Sequence, residues 1–355
     1  MYYFAVSALT KLFFKLNLKI VLSVKKLFTV CAQLLNKRTK KKVTFPLFLA
    51  TMQHLSVLQK DVQNYLNLNQ GDTVLDATLG LGGHSLDILK KIGKSGRLYA
   101  FEQDERNLNE AQKRLKDYQG QITYIHDNFR YLKSRVTGKE FDGILFDLGL
   151  SSPHIDDSSR GFSFMKDGPL DMRFDPRSPL TAEIVLNTYP ERELARIFRE
   201  YGEEKFSNKV ARYICEDRKT KKFTSTAELA AMLKRIIPES KKSSAHPATR
   251  VFQALRIEVN DELNALKEAL NQSFEVLNHG GRLVVISYHS LEDRITKQFF
   301  RELEKPEADA EKSIYSVHGD PLIKILTKKP VTPTEEEMSE NPRSRSAKLR
   351  ALQKI

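Results

Sequence analysis

From residue 71 onward, short apolar runs alternate with segments of helical spacing, and this alternation confines the chain to a parallel sheet clothed by helices. Residues 73–77 (TVLDA) read as a buried strand, followed at once by the glycine-rich turn Gly80-Leu-Gly82-Gly83 and a helix over 85–92. A second strand spans 97–101 (RLYAF) and ends at Glu102. Leu108, Ala111 and Leu115 then share one face of a helix over 107–118. Residues 122–125 give a third strand and 142–148 (DGILFDL) a fourth.

The alternation stops after residue 154. Residues 155–265 contain no strand pattern, but helical segments at 191–201, 205–218 and 226–237, and a longer one at 248–270. The sheet resumes at 282–287 (RLVVIS) behind the Gly280-Gly281 turn, and 323–327 supplies a closing strand or hairpin. The predicted architecture is α/β, a doubly wound Rossmann-like sheet built from residues 52–154 and 266–340, with residues 155–265 as an inserted helical domain. Residues 341–355, basic and serine-rich, are expected as a surface tail.

Net charge is +13 for the 355 residues, which resembles a nucleic-acid signal until it is located. Residues 1–51 hold nine lysines, one arginine and no acid, leaving only about +3 for the other 304. An RNA-binding surface on the body is therefore a local patch. In the leader, Lys11, Lys15, Lys19, Lys25 and Lys26 break every apolar run well short of the ~20 residues that cross a bilayer, so no membrane association is expected. It is read as an upstream extension of a protein that starts at Met52, which implies a cytoplasmic protein, or else as a mitochondrial or plastid transit peptide. Two cysteines, Cys31 and Cys215, provide neither a disulfide framework nor a cysteine-rich zinc site, and no metal is expected.

The segment Asp76-Ala-Thr-Leu-Gly80-Leu-Gly82-Gly83-His84 lets a ligand approach the backbone at the mouth of the first strand. A dinucleotide fingerprint wants glycine where Ser85 stands, and no Gly-Lys-Ser/Thr follows to make a P-loop. Glu102, 22 residues after Gly80, can accept hydrogen bonds from both hydroxyls of a ribose. A glycine loop with an acid at this distance suits the adenosine half of S-adenosylmethionine, which has no pyrophosphate to cradle. The alternative is a tight strand-to-helix turn and a solvated acid.

Asp147-Leu-Gly149-Leu-Ser151-Ser152-Pro153-His154 ends the fourth strand, where a doubly wound enzyme places its chemistry. Enzymes that methylate exocyclic amines carry a short Ser/Asn/Asp-Pro-Pro-aromatic motif here, and Ser151-Ser152-Pro153 resembles it loosely. An amine conjugated with a ring is a poor nucleophile. Acceptors for its hydrogens turn the lone pair towards the methyl donor, and in-line positioning supplies further acceleration. A strong base is unnecessary, because the nitrogen sheds its proton only as or after it becomes cationic.

Longer strings extend the pattern: SSPHIDD from Ser151, SRGFSF from Ser159, DGPLDMR from Asp167, YGEEKF from Tyr201, HPATRVFQALRIEVN from His246 and ISYHSLEDR from Ile286. Together with the glycine loop they closely resemble the bacterial 16S ribosomal RNA cytosine-N4 methyltransferase family, from about His54 to Lys348. The resemblance implies a class I methyltransferase sheet with a helical insertion, S-adenosyl-L-methionine as cofactor, and a target cytidine at the decoding centre of the small ribosomal subunit. It places cofactor contacts on Gly82, Gly83, His84, Glu102, Phe129, Asp147 and His154, and chemistry around Asp147, Ser151, Ser152, Pro153 and His289. Glu102 stands where the family has Asp, His154 where it has Gln, and Ser56 where it has Pro.

Plainer roles compete at several positions. His84 can cap the following helix, and His289 either contacts the target base or shapes its loop. Arg173, Arg250 and Arg256 either hold the insertion through acids such as Asp171 and Glu258 or grip phosphates. Phe162 and Phe164 either stack on a flipped base or pack in the core. Three functions stay open at this point: methylation of ribosomal RNA, methylation of an amine on DNA or another RNA, and a non-enzymatic ribosome-assembly module. A homodimer is compatible with all three.

Overall fold

The central strand β1 (Thr73–Asp76) is flanked on both sides by parallel neighbours, and Val74 and Leu75 are both fully buried, as a sheet covered on both faces requires. Residues 56–238, 246–306 and 320–355 are described in the computed structural model, all within the unit Leu55–Ile355. The leader expected over residues 1–51 lies outside the described residues.

β2 (Arg97–Phe101), β3 (Ile122–Ile125), β4 (Phe141–Asp147) and β5 (Leu277–Ser287) run parallel to β1, followed in the chain by β6 (Ile323–Ile325) and β7 (Lys348–Lys354). The seven strands lie in the order β3-β2-β1-β4-β5-β7-β6, and β7 is antiparallel to both its neighbours. The order reverses between β1 and β4, so their carboxyl ends open the crevice in which such sheets bind ligands.

Alternate residues of the strands feed two cores. Val74, Leu98, Leu145, Val284 and Leu349 pack with Leu66 of α1 (Gln59–Leu66), Ile88 of α2 (Gly83–Ile92) and Ala111 of α3 (Glu105–Arg114). Leu75, Phe101, Ile144, Phe146 and Leu352 pack on the opposite face with Leu132 of the short α4 (Leu132–Arg135) and with Leu266, Leu270, Phe299 and Phe300. A short α5 (Ser152–Asp156) follows β4 and leads into the helical insertion.

The insertion has a core of its own. Helices α6 (Ala182–Thr188), α7 (Glu191–Glu200), α8 (Ser207–Asp217), α9 (Thr226–Ile236) and α10 (Thr249–Asn260) bury residues such as Leu186, Phe198, Ile214, Leu233 and Leu255 against one another. Three of them match the helical segments read at 191–201, 205–218 and 226–237. The single helix expected over 248–270 is two. Asp261 adopts a left-handed conformation, φ 48°, that ends α10 and starts α11 (Glu262–Val276) in a new direction. α10 serves the insertion, whereas α11 contributes Leu266, Ala269 and Leu270 to the sheet core. Continuous helical periodicity conceals such a break, since apolar residues continue on both sides of it.

The surface tail expected over 341–355 is overturned. β7 is wedged between β5 and β6, with Leu349, Ala351 and Leu352 fully buried. Its basic residues are accommodated by pairing. Arg350 is buried with its Nε 2.7 Å from Asp293 on α12 (Ser290–Glu304), and Lys354 Nζ donates to the Phe274 and Leu277 carbonyls at 2.9 and 2.7 Å. A paired buried charge is tolerated where an unpaired one is not.

Two outcomes follow from this placement. Leu352→Ala should lower the unfolding free energy by about 2–5 kcal/mol in urea titrations. Truncation after residue 340 should abolish cooperative unfolding by circular dichroism, whereas a dispensable tail would leave both melts unchanged.

Candidate active site

The turn after β1 is built on glycine. Gly80 and Gly82 have φ of +53° and +75°, and a Cβ on Gly82 would stand 3.0 Å from Leu115 Cδ1. Thr78 Oγ1 accepts the Asp147 amide at 2.6 Å, tying this turn to the end of β4. Glu102, just past β2, closes it from the other side: its carboxylate accepts the Gly80 amide at 2.9 Å and the Asp104 amide at 2.8 Å.

Three carboxylates therefore meet at the carboxyl ends of β1, β2 and β4. Asp76 is fully buried and accepts the Ser85 hydroxyl at 2.6 Å; burial pushes it up to about 6 despite that donor. Burial pushes Glu102 up to about 8, with the negative Asp104 nearby adding to the effect. Asp147 keeps 24% of its side chain exposed and is pushed up to about 7 by its desolvated surroundings, with Asp76 and Glu292 reinforcing the rise. One oxygen accepts the Tyr288 hydroxyl at 2.9 Å, and the other lies 3.6 Å from His84 Nε2. The edge is thus rich in oxygens that a cation would draw into their ionised form, which suits a cationic ligand carrying hydroxyls better than a phosphate.

Behind this edge, the Ser151-Ser152-Pro153 turn rests on a buried polar triad. The Ser151 amide donates to His154 Nδ1 at 3.1 Å, which leaves the ring hydrogen on Nε2, 2.8 Å from Asp104 Oδ2. Arg160 reaches the same Asp104 oxygen at 2.6 Å, and Asn107 Nδ2 donates to Ser151 Oγ at 3.1 Å. Burial pulls His154 downward, which keeps the imidazole neutral, and Phe162 and Phe174 enclose it with ring centroids 5.0 Å away. Burial alone would raise Asp104, yet its His154 and Arg160 hydrogen bonds hold it at about 2.

Among the expected site residues, Gly82, Gly83, His84, Glu102 and Asp147 lie together at the carboxyl ends of β1, β2 and β4. Phe129 begins the turn after β3 and packs edge-on against Phe146, 5.6 Å between centroids, beside Asp147. Both ring nitrogens of His154 are committed inside the protein, so it supports the Ser151 turn from behind. His289 caps α12 and pairs with Glu292 at 3.1 Å.

Internal partners also occupy the arginines and phenylalanines. Arg173 grips Asp171 at 2.9 and 2.8 Å, and Arg250 donates to the Glu203 carbonyl at 3.2 Å. Arg256 grips Glu262 at 2.7 and 2.8 Å, not Glu258, which instead accepts the Tyr189 hydroxyl at 3.0 Å. Phe162 stacks on Phe174 in the insertion core, and Phe164 stacks on His246. Asp104, Asn107, Arg160, Tyr288 and Glu292 escaped the sequence reading, and Asp76 entered it only as the start of the glycine-loop segment. Three of them lie in strings quoted for their resemblance, but an isolated buried acid or tyrosine carries no pattern until its partners are placed.

Asp104→Asn should cost roughly 3–5 kcal/mol in denaturant unfolding at neutral pH, because it strands Arg160 and His154. Asp104 is held below its unfolded value, so its contribution is present above about pH 4 and is lost as pH falls towards 2. The gap between wild type and variant should close over that window; a constant gap would contradict the assignment.

The profile of the MraW methylase family matches residues 51–355. The chain is 49% identical over 306 residues to the ribosomal RNA small subunit methyltransferase H of Carboxydothermus hydrogenoformans, covering 85% of this chain and 98% of that protein. Proteins with the same description from Streptococcus dysgalactiae subsp. equisimilis and Clostridium botulinum are 46% and 47% identical, each over 85% of this chain and 98% and 99% of theirs.

Proposed function

The chain belongs to the MraW methylase family, and on that premise we propose that it methylates the exocyclic N4 amine of a cytidine in 16S ribosomal RNA of the small subunit. Its reaction is methyl transfer from S-adenosyl-L-methionine to ribosomal RNA. The observation that carries the finer reading is the meeting of Asp76, Glu102 and Asp147 at one sheet edge, beside the braced Ser151-Ser152-Pro153 turn.

The residues fit the cofactor. Gly80, Gly82 and Gly83 leave the turn short of side chains, Glu102 offers oxygens for vicinal hydroxyls, and the raised carboxyls gain by ionising beside a positively charged ligand. When bound, S-adenosylmethionine supplies an electrophilic methyl group on a sulfonium. Gly82, Gly83 and His84 line the approach, and Phe129 offers an apolar edge. The Ser151-Ser152-Pro153 turn receives the target amine, and its rigidity fixes the line of attack. Asp147, near neutrality in its acidity, takes the proton that the methylated nitrogen sheds. His154 keeps the turn in place, and His289 shapes the opposite wall.

Among the described residues no helix is long and apolar enough to cross a membrane. A substrate carried on ribosomal subunits puts the enzyme in the compartment where they are assembled, the cytoplasm of a bacterial-type cell. The same proposal admits a homodimer.

Labelled S-adenosylmethionine incubated with small subunits from cells lacking this gene should yield N4-methylated cytidine on nucleoside analysis. Asp147→Ala should slow transfer by about 100-fold or more. Label in another nucleoside, or none in subunits or free 16S RNA despite cofactor binding, would overturn the assignment.

A further inference from the structure

Asp147 is a single carboxylate asked to serve both cofactor and target, so what holds it in place matters. One oxygen accepts the Tyr288 hydroxyl at 2.9 Å. Tyr288 reaches it across Gly149: a Cβ on Gly149 would stand 3.1 Å from the tyrosine ring, and the φ of +98° there is one that side chains rarely adopt. The ring therefore occupies space that glycine leaves open in the Asp147-Leu-Gly149 turn.

The tyrosine is fixed from the other side as well. Glu292, buried on the first turn of α12, accepts the Tyr288 amide at 2.7 Å and the His289 amide at 3.2 Å, while His289 Nε2 lies 3.1 Å from it. These contacts pin two consecutive residues at the point where the chain leaves β5. Burial and the neighbouring Asp147 push the Tyr288 phenol well above its usual range, so it stays a donor throughout neutral pH. Around Asp147 stand Asp76 from β1, His84 from α2, Tyr288 after β5 and Glu292 from α12, with Arg256 from α10 behind Glu292.

We propose that Tyr288 is a positioning residue for methyl transfer: its phenol, laid across Gly149 and anchored through its amide by Glu292, fixes the orientation of the Asp147 carboxylate and favours its charged form. The proposal rests on the reading that Asp147 serves the cofactor and target. A phenol that donates to a carboxylate stabilises the ionised form only, so its removal acts where Asp147 titrates and vanishes where Asp147 is ionised regardless.

The test is S-adenosylmethionine affinity from about pH 6 to about pH 9 for the full chain, with Y288F, E292Q and D147A beside the wild type. Y288F should bind about tenfold more weakly near pH 7 and approach the wild type near pH 9, with methyl transfer falling in parallel. E292Q, which loosens the anchor and keeps the phenol, should shift the profile the same way by a smaller factor. Y288F with the wild-type profile, or weakened equally at every pH as a merely structural residue would be, overturns the proposal. D147A that binds and transfers like the wild type removes the premise itself, and is recognised separately because Tyr288 is intact in that variant.

Discussion

Asp76, Glu102 and Asp147 sit at one sheet edge with more acidity suppressed than any of them would show in water. The strand order dictates this, because β2, β1 and β4 are neighbours and each ends in an acid or is followed by one. Each raised acid favours its protonated form, so these groups stabilise the fold most at low pH and progressively less as pH rises through about 6 to 8. The fold tolerates them because each has a donor aimed at it: Ser85, the Gly80 and Asp104 amides, and Tyr288. A cationic ligand favours the ionised carboxylates, which connects the cost of burying these acids to the affinity for such a ligand.

The surrounding polar contacts keep that edge rigid. Asp104, His154 and Arg160 fix the turn after β4 from below. The insertion is tied back at several points. Arg130 reaches Asp261 at 2.6 Å where α10 gives way to α11, and Glu203 accepts the Ser290 hydroxyl at 2.6 Å and an Arg294 hydrogen at 2.9 Å. Pairs with at least one exposed partner, as here, add little stability individually. Their effect is to give the insertion a defined place beside the loops at the carboxyl ends of the strands.

Much of this was legible beforehand. The parallel strands announced themselves as apolar runs between helical patterns, and the insertion as the stretch where strands cease. The glycine loop, Glu102 and Asp147 were legible because spacing and chain position alone placed them on one edge. β7 was not, although Leu349 and Ala351 already alternate with Lys348 and Arg350: the basic residues argued for solvent, and only Asp293 in space explains Arg350 inside. The break at Asp261 was invisible because no glycine or proline marks it. The Asp104–His154–Arg160 triad and the Gly149–Tyr288–Glu292 support depend on residues 50 to 140 positions apart meeting in space, which no local pattern encodes.

The central claim, that a partly protonated Asp147 carboxylate receives a cationic cofactor, is tested most directly by calorimetry of S-adenosylmethionine binding near pH 6.5 in two buffers of different ionisation enthalpy. With Asp147 at about 7 before the cofactor binds, binding should release about half a proton or more, and D147N should lose that release. Buffer-independent heats, or a release that persists undiminished in D147N, would contradict it.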